Sequence, residues 1–418
     1  MQLRLSIPVE RALERVLDGE ELSVEDCLPL TTASGNDFWA MINTADQLRQ
    51  RQVGPLVTYV VNRNINFTNV CIKHCGFCAF SRDFRQEQGY FLPDEEIFRR
   101  VDEAVALGAT EVCIQAGLAP KMLGSLYIDL TRKLKKAYPD LHLHAFSPEE
   151  VLYGAVRSRI SIQEYLQGLK EAGLDTLPGT SAEILDQPMR DRLAPGRITV
   201  DQWVEVIRSA HQMGLRTTST MMFGHIEQPI DWLRHMDLLR NIQKETGGFT
   251  EFVPLSFVHT EAPMYRSGEL KDLRQGPTGQ EVLRVHALAR IFLGASIPNL
   301  QVSWVKEGLR MAHVLLEAGV NDLGGTLMNE SISTAAGAQH GQLASPHQLR
   351  EMIWSAGRPA AQRNTRYEVL KRWDDPQHED LSGLDTIAEG DKRFGSYHEL
   401  VRSDQHRYQH RSAVAART

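Results

Sequence analysis

The sequence has little cysteine and no long apolar run, and both features narrow the class of protein. Its 418 residues contain five cysteines, an odd and small number that argues against a disulfide-stabilised secreted fold. No stretch of about 18 apolar residues is present, so a transmembrane helix is not expected. The first residues lack the apolar core and the cleavage site of a signal peptide. These features predict a cytoplasmic protein that does not act at a membrane.

The sequence also has fewer basic than acidic residues. The chain has 46 Lys and Arg against 53 Asp and Glu, and its formal net charge is −7. A nucleic-acid-binding protein normally carries a basic surplus, so the bulk charge argues against that function. No Gly-x-Gly-x-x-Gly follows the first predicted strand, so a dinucleotide-binding open sheet has no support.

From residue 56 onward, short β-branched runs alternate with amphipathic helical stretches. Each strand–helix pair takes roughly 30 residues, which is typical of a β-α repeat. Eight such units in series predict an α/β fold, a parallel (β/α)8 TIM-type barrel. The predicted strands are residues 56–66, 110–117, 141–147, 174–180, 216–224, 250–258, 300–308 and 321–327.

The two ends of the chain depart from this repeat. Residues 1–52 are predicted to form an N-terminal helical cap, in which Ser23 is a candidate N-cap residue. The barrel is expected over residues 53–357. Residues 358–418 contain fewer apolar residues, and we expect a polar C-terminal extension that is partly disordered.

Three of the five cysteines lie in one short segment, "NVCIKHCGFCAF". Cys71, Cys75 and Cys78 follow the first predicted strand, and barrel enzymes carry their chemistry in such loops. A zinc site would need a fourth ligand, for example His74, and zinc modules are usually built from paired cysteine knuckles. Three thiolates without a fourth suit an iron–sulfur cluster with one iron that lacks a protein ligand.

The remaining cysteines, Cys27 and Cys113, stand alone in the sequence. Cys113 lies within a predicted strand, where a free thiol usually behaves as a small core residue. Neither is therefore expected to be a cluster ligand.

The spacing Cys-x3-Cys-x2-Cys, with Phe77 before the last cysteine, resembles the motif of the radical S-adenosylmethionine superfamily. The resemblance implies a 4Fe–4S cluster held by Cys71, Cys75 and Cys78, with S-adenosylmethionine on the open iron. An electron, supplied by a reductant such as ferredoxin or flavodoxin, would cleave the sulfonium to a 5′-deoxyadenosyl radical. The protein would hold, orient and shield that radical.

The resemblance also implies cofactor-binding residues after the next two strands. The second strand ends in "IQAGLAP", where the superfamily places a glycine-containing turn for the methionine amine. Gln115 and Gly117 are the candidates, although Gly117 alone could be a simple turn residue. The third strand ends in "HAFSPEE", which offers Ser147 and Glu149. The same residues also make a good helix N-terminus.

After the fourth strand, "LPGTSAEIL" is similar to the ribose-contacting segment of biotin synthase. This similarity points to Thr180, Ser181 and Glu183 near the nucleoside or the substrate, with helix capping by Ser181 as the alternative. The later strand ends carry further polar candidates: His225, Glu227, Ser256, His259, Lys306 and Asn329.

A longer resemblance covers about residues 50–360 and indicates one group of enzymes within the superfamily. "NINFTNVC", "CGFCAFSR" and "EFVPLSFVHTEAPMY" are similar to one clan within the superfamily. That clan contains the two components of FO synthase, aminofutalosine synthase and dehypoxanthine futalosine cyclase. The details "IKHCGFCAFSRD" and "GTSAEI" fit best with the tyrosine-using component of FO synthase.

The resemblance implies a radical transferase of deazaflavin (coenzyme F420 precursor) biosynthesis. L-tyrosine would lose a hydrogen atom and fragment at Cα–Cβ, and its 4-hydroxybenzyl part would join 5-amino-6-(D-ribitylamino)uracil. A second radical enzyme would then close the ring. Arg216 and Lys306 are candidates to pair the tyrosine carboxylate. The alternatives are the two menaquinone-pathway activities of the clan and, from another class, a non-enzymatic metal-binding scaffold.

Overall fold

Strands with buried side chains form the inner wall of a parallel barrel in the computed structural model, which describes residues 4–409. The strands of the described range are in chain order β1 Val57–Val60, β2 Asn62–Ile65, β3 Glu111–Ile114, β4 His142–Ala145, β5 Thr176–Leu177, β6 Arg216–Phe223, β7 Phe249–Ser256, β8 Asp322–Gly325, β9 Ala360–Arg363 and β10 Val369–Trp373, of which β9 and β10 extend the sheet beyond β1. Most of these strands are short, with two to five residues, and only β6 and β7 within the described range have eight.

Helices connect the strands and form the outer layer. No helix within the described range is long and apolar enough to span a membrane. The helices are α1 Ile7–Leu17, α2 Val24–Thr31, α3 Gly35–Val53, α4 Asp94–Ala106, α5 Leu126–Ala137, α6 Pro148–Ser158, α7 Ile162–Glu171, α8 Gln187–Leu193, α9 Val200–Gln212, α10 Pro229–Thr246, α11 Pro263–Ser267, α12 Gly279–Leu293, α13 Trp304–Leu316, α14 Ile332–Ala335, α15 Pro346–Ser355, α16 Gly390–Phe394 and α17 Tyr397–Leu400.

The hydrogen-bonded strand order closes the barrel. β2 to β7 form a parallel sheet in sequence order, and β1, which leads directly into β2, pairs with β8. A short bridge segment joins the two sheets, since Leu300 pairs with Phe252 and Gln301 pairs with Asp322. Counting β1 with β2 as one strand, the barrel has the parallel (β/α)8 plan predicted from the sequence.

The predicted strand 300–308 is wrong over most of its length. Only Leu300 and Gln301 make strand bridges, and α13 begins at Trp304. Trp304 and Val305 are buried, and the indole N–H of Trp304 donates to the carbonyl of Gly325 at 2.8 Å. A short apolar run can bury itself in either a strand or a helix, so its pattern alone does not separate the two.

The N-terminal helices lie against the outer layer rather than in the barrel. Ser23 caps α2 as predicted, because its hydroxyl accepts the Asp26 N–H and the Asp26 carboxylate accepts the Ser23 N–H. Arg240 of α10 donates to the carbonyl of Leu22 at 2.9 Å. These contacts hold residues 4–53 on the barrel, and the domain boundary at residue 52 stays a prediction.

Much of residues 358–409 forms strands and short helices, and the partial disorder of the extension stays a prediction. β9 pairs in parallel with β1, and β10 returns antiparallel to β9. Isolated apolar anchors in a polar stretch hold this segment, and composition does not reveal them. The buried anchors are Trp373, Leu384, Phe394 and Tyr397. The last part of the extension, residues 410–418, lies outside the described residues.

Arg350 of α15 ties the C-terminal segment to the barrel. It is 2% exposed, and its guanidinium donates to Glu379 at 2.7 Å, to Asp385 at 3.3 Å and to the hydroxyl of Tyr59 at 2.7 Å. The guanidinium also lies over the ring of Trp373, 4.7 Å from its centre. One cation therefore ties two carboxylates of the C-terminal segment to the hydroxyl of Tyr59 on β1.

Replacing Arg350 by alanine should destabilise the protein strongly. Removal of one partner from a buried ion pair typically costs about 3–5 kcal/mol in the free energy of unfolding. Urea denaturation of Arg350→Ala would measure this loss, and Arg372→Ala is the matched control. Arg372 pairs with Asp374 on the surface, so its loss should change stability by no more than about 0.5 kcal/mol. Equal midpoints for the two variants would contradict the anchoring role.

Candidate functional site

The cysteine loop follows β2 and is held by backbone hydrogen bonds to three neighbouring segments. The N–H of Cys71 donates to the carbonyl of Arg82 at 3.0 Å, and Ile72 donates to Leu118 at 2.9 Å. The N–H of Gly76 donates to the carbonyl of Leu193, at the end of α8, at 2.8 Å. The loop is therefore fixed at the carboxyl end of the barrel, where the sequence places a site.

The three thiols of this loop line one cavity of about 230 Å³, which we call the cysteine cavity. Cys75 is buried, and Cys71 and Cys78 are partly exposed. Burial raises the pKa of the Cys75 thiol to about 12 and also raises the pKa of Cys71, so metal binding must displace protons. His74 is exposed and does not line the cavity.

Within residues 4–409, no three Cys, His, Asp or Glu side chains converge closely enough to hold a single metal ion. A cubane cluster is larger than one ion, so its thiolates must stand farther apart. The cavity supplies that space, and thiolates are the usual cluster ligands. The donor set of Cys71, Cys75 and Cys78 therefore fits a cluster better than it fits zinc.

Arg197 is a residue of this site that the sequence reasoning missed. It lies in the turn before α9, and its guanidinium donates to Cys75 Sγ at 3.1 Å and to the Ser181 hydroxyl at 2.8 Å. It also pairs with Glu183 at 3.3 Å and lies over the Phe77 ring, 5.2 Å from its centre. A single arginine in a turn has no spacing pattern, so only the folded chain reveals its role.

The turn after β3 packs tightly against the cysteine loop. The N–H of Gly117 donates to the carbonyl of Thr68 at 2.8 Å. A Cβ atom at Gly117 would lie 2.4 Å from the carbonyl oxygen of Val70, so only glycine fits there. Gln115 also lines the cysteine cavity, and its side-chain oxygen accepts the Thr180 hydroxyl at 2.7 Å.

Ser147 and Glu149 have different roles in the structure. Ser147 caps α6 through a reciprocal pair of hydrogen bonds with Glu150, although it also lines the cysteine cavity. The Glu149 carboxylate lines the same cavity, accepts the N–H of Ile198 at 2.8 Å and pairs with Lys73 at 3.2 Å. The capping alternative therefore accounts for Ser147, whereas Glu149 is a charged group of the site.

The segment after β5 is locally strained where it meets the cavity. Ser181 and Glu183 have positive φ angles of 61° and 42°, which L-residues rarely adopt. Such strain clusters at functional sites, where the surrounding structure enforces it. Arg190 supplies part of that constraint, since it donates to the carbonyls of Ser181 and Ala182 at 3.0 and 2.6 Å.

A second cavity of about 340 Å³ continues from the cysteine cavity into the barrel. We call it the barrel cavity. Phe77, Cys78 and Gln115 line both cavities, so the two adjoin. Alternate residues of each strand face inward, as expected from the two-residue period of a strand. The inward wall of β7 consists of Glu251, Val253 and Leu255.

The remaining polar candidates separate into one that lines the barrel cavity and six that do not. Lys306 lines it. His225 and Glu227 are buried together and bond to each other and to the backbone. Asn329 donates to the carbonyl of Phe394 at 2.9 Å. Ser256, His259 and Arg216 also lie outside the cavity lining, and Arg216 is exposed at the start of β6, at the opposite end of the barrel.

Family models match most of the barrel. The model described as the radical SAM superfamily matches residues 65–239, and the model described as the CofH/MqnC C-terminal region matches residues 246–376.

Two curated relatives illustrate the similarity in sequence. The chain is 46% identical over 365 residues to the 5-amino-6-(D-ribitylamino)uracil–L-tyrosine 4-hydroxyphenyl transferase of Methanopyrus kandleri, covering 84% of this chain and 98% of that one. It is 48% identical over 361 residues to the FO synthase of Mycobacterium tuberculosis, covering 86% of this chain and 41% of that one.

Solved structures share the fold at much lower identity. Methylornithine synthase (PylB) superimposes with a TM-score of 0.65 at 16% identity, over 83% of this chain and 96% of that chain. The hydrogenase maturase HydG gives a TM-score of 0.66 at 14% identity, over 87% of this chain and 77% of that chain.

Single replacements of Cys71, Cys75 or Cys78 by alanine should each abolish the visible absorbance of a reconstituted iron–sulfur cluster. Each removes one of three thiolate ligands, and the exposed His74, which does not line the cavity, offers no replacement. Iron and sulfide analysis after anaerobic reconstitution measures the effect. Cys27→Ala is the matched control, because Cys27 is buried in α2 and should leave the iron content unchanged. Full iron content in Cys75→Ala would refute the assignment.

Proposed function

The chain belongs to the radical S-adenosylmethionine superfamily, in the family of the tyrosine 4-hydroxyphenyl transferases and FO synthases, and from this premise we propose its reaction. We propose that it transfers the 4-hydroxybenzyl part of L-tyrosine to 5-amino-6-(D-ribitylamino)uracil. The observation that carries the proposal is the 46% identity to the Methanopyrus kandleri transferase, which spans 98% of that protein.

The extent of the match bears on how the pathway is divided between proteins. The chain spans 41% of the length of the Mycobacterium tuberculosis FO synthase. It also carries one Cys-x3-Cys-x2-Cys motif. We therefore assign to it the tyrosine-transferring half-reaction, with a second radical enzyme as functional partner for ring closure and a ferredoxin or flavodoxin as reductant. The predicted location remains the cytoplasm.

Cys71, Cys75 and Cys78 would hold the 4Fe–4S cluster, and the cluster with bound S-adenosylmethionine supplies a 5′-deoxyadenosyl radical for hydrogen abstraction. The residues around the cysteine cavity are suited to bind that cofactor. Gly117 permits the close backbone approach beside the loop, while Gln115, Glu149, Thr180, Ser181 and Glu183 offer hydrogen-bonding and charged groups. Arg197 holds Ser181 and Glu183 in position beside Cys75.

Lys306 is suited to bind the carboxylate of tyrosine. It stands at the carboxyl end of the barrel, at the start of α13, and within the described chain no carboxylate lies within ion-pair distance of its ammonium. Glu330 and Glu307 are nearby, and the Glu330 carboxylate accepts the N–H groups of Ile332 and Ser333. An unpaired ammonium in a walled cavity favours an anionic ligand. The exposed Arg216, at the other end of the barrel, cannot serve in its place.

Lys306→Met should raise the KM for tyrosine by about 10- to 100-fold, the effect of losing one charge-assisted hydrogen bond. The KM for the uracil should stay unchanged, and Lys306→Arg should restore part of the tyrosine affinity. Release of 5′-deoxyadenosine at varied tyrosine concentration measures the effect. Lys136→Met, on the exposed face of α5, is the control. A changed uracil KM with an unchanged tyrosine KM would refute the assignment.

The reaction itself is tested by anaerobic reconstitution followed by mass spectrometry of the products. With S-adenosylmethionine, reductant, tyrosine and the ribitylaminouracil, we expect 5′-deoxyadenosine and a uracil that has gained a 4-hydroxybenzyl group. Omission of either substrate should abolish the coupled product. Turnover with a futalosine-type substrate alone would assign the chain to the menaquinone-pathway branch of the clan. Binding of zinc in place of iron would contradict the proposed reaction and support the alternative of a non-enzymatic metal-binding scaffold.

A further inference from the structure

The barrel cavity ends in a polar floor at the amino-terminal side of the strands. Glu111 begins β3 and Glu251 lies near the start of β7, and both line the cavity. Arg363 and Thr365 of the C-terminal segment line it from below. Strands rise by about 3.3 Å per residue, so the floor lies roughly 13 Å below Gln115 at the cysteine end. We call Glu111, Glu251, Arg363, Thr365 and His144 the barrel floor.

The single cation of the barrel floor is already saturated. Arg363 donates to both oxygens of Asp322 at 2.5 and 2.8 Å and to the carbonyl of Asn364 at 3.2 Å. It also reaches Glu251 at 3.4 Å. All sides of the guanidinium are therefore occupied, and the floor has no free cation for a carboxylate. The carboxylate of tyrosine belongs at Lys306, at the other end of the cavity.

The floor carboxylates, by contrast, keep acceptor capacity. Glu111 accepts the side-chain N–H of Asn62 at 2.8 Å and the hydroxyl of Thr365. Glu251 accepts the side-chain N–H of Gln301 at 2.8 Å and the hydroxyl of Tyr367. A carboxylate has about four acceptor positions, so each can take a further hydrogen bond from a ligand in the cavity.

His144 adds a free ring nitrogen. Its Nδ1 bonds to the hydroxyl of Thr176 at 2.7 Å, and the same hydroxyl bonds to Nε2 of His142 at 2.8 Å. Among residues 4–409, the Nε2 of His144 has no partner, and the side chain is 92% buried while lining the cavity. Burial lowers the pKa of His144 to about 4, so the ring is neutral and offers one hydrogen bond without a charge.

The wall between the two ends has a different character. Above Glu251 on β7 the inward residues are Val253 and Leu255, and Met222 stands beside Leu255 on β6; we call these three residues the apolar belt, and Thr220 of β6, beside Val253, also lines this part of the wall. This apolar belt suits the flat faces of aromatic rings. The floor below it presents several hydrogen-bond acceptors and one neutral imidazole at short spacing. That pattern matches a flexible chain of hydroxyl groups better than a phenol, which has one hydroxyl on an apolar ring.

We propose that the barrel floor binds the ribityl chain of the diaminouracil substrate and thereby selects the ribityl-bearing compound. Hydroxyl groups of the chain donate to Glu111 and Glu251 and bond to Nε2 of His144. The pyrimidine then lies in the apolar belt, with its reacting carbon toward the cysteine end. This inference rests on the proposed function and names the part of the cavity that recognises the second substrate.

The test compares two ligands and three variants. Isothermal titration calorimetry on the anaerobic, reconstituted protein measures the dissociation constants of 5-amino-6-(D-ribitylamino)uracil and of 5,6-diaminouracil, which lacks the ribityl chain. The native protein should prefer the ribityl compound. Glu251→Gln and His144→Phe should each lower that preference by about tenfold, since each removes one hydrogen bond to the chain. Glu171→Gln, on the exposed face of α7, is the control and should keep the preference.

The outcomes separate this inference from the proposed function. An unchanged preference in both floor variants, or an equal loss for both uracils, would overturn the ribityl assignment and leave the reaction standing. A raised KM for tyrosine with intact uracil binding would also overturn it, because it would place tyrosine at the floor. If the native protein binds neither uracil, the proposed function fails as well. Should Glu251→Gln fail to fold, His144→Phe carries the test, because Glu251 also contacts Arg363.

Discussion

One buried carboxylate joins the first strand of the barrel to the last one. Asp322 on β8 is fully buried, accepts the hydroxyl of Thr58 on β1 at 2.5 Å and receives two hydrogen bonds from Arg363 on β9. A buried charge without a partner would cost several kcal/mol, so the three strands must stay together. The first strand leads directly into the cysteine loop. The position of the loop therefore depends on a contact with residues more than 260 positions later.

This closure also gives the interior two different ends. At the carboxyl end lie three thiols, Arg197 and Lys306, which has no ion-pair partner among residues 4–409. At the amino end lie carboxylates, a neutral histidine and a saturated arginine. The apolar belt of Met222, Val253 and Leu255 lines part of the wall between them. Expulsion of water from the barrel interior when substrates bind strengthens the electrostatic interactions inside it. The same barrel can therefore shield a reactive species at one end and recognise a polar substrate at the other.

The sequence predicted the features that local patterns encode. The strand rhythm revealed the barrel, and the spacing of Cys71, Cys75 and Cys78 marked the loop after the first strand. Features that depend on distant contacts were missed. Arg197 reaches Cys75 across 122 positions, and Arg363 reaches Asp322 from the C-terminal extension, whose composition gives no sign of this contact. Trp304 was predicted in a strand because the short apolar run around it fits a strand as well as a buried helix.

The central claim is that three protein thiolates leave one iron open to S-adenosylmethionine. Electron–nuclear double resonance on the reduced, reconstituted protein tests it most directly, with S-adenosylmethionine isotopically labelled in its amine and carboxylate. We expect hyperfine coupling from both labels to the cluster signal, and its loss in Cys78→Ala. An intact cluster signal that shows no coupling to either label would contradict the account.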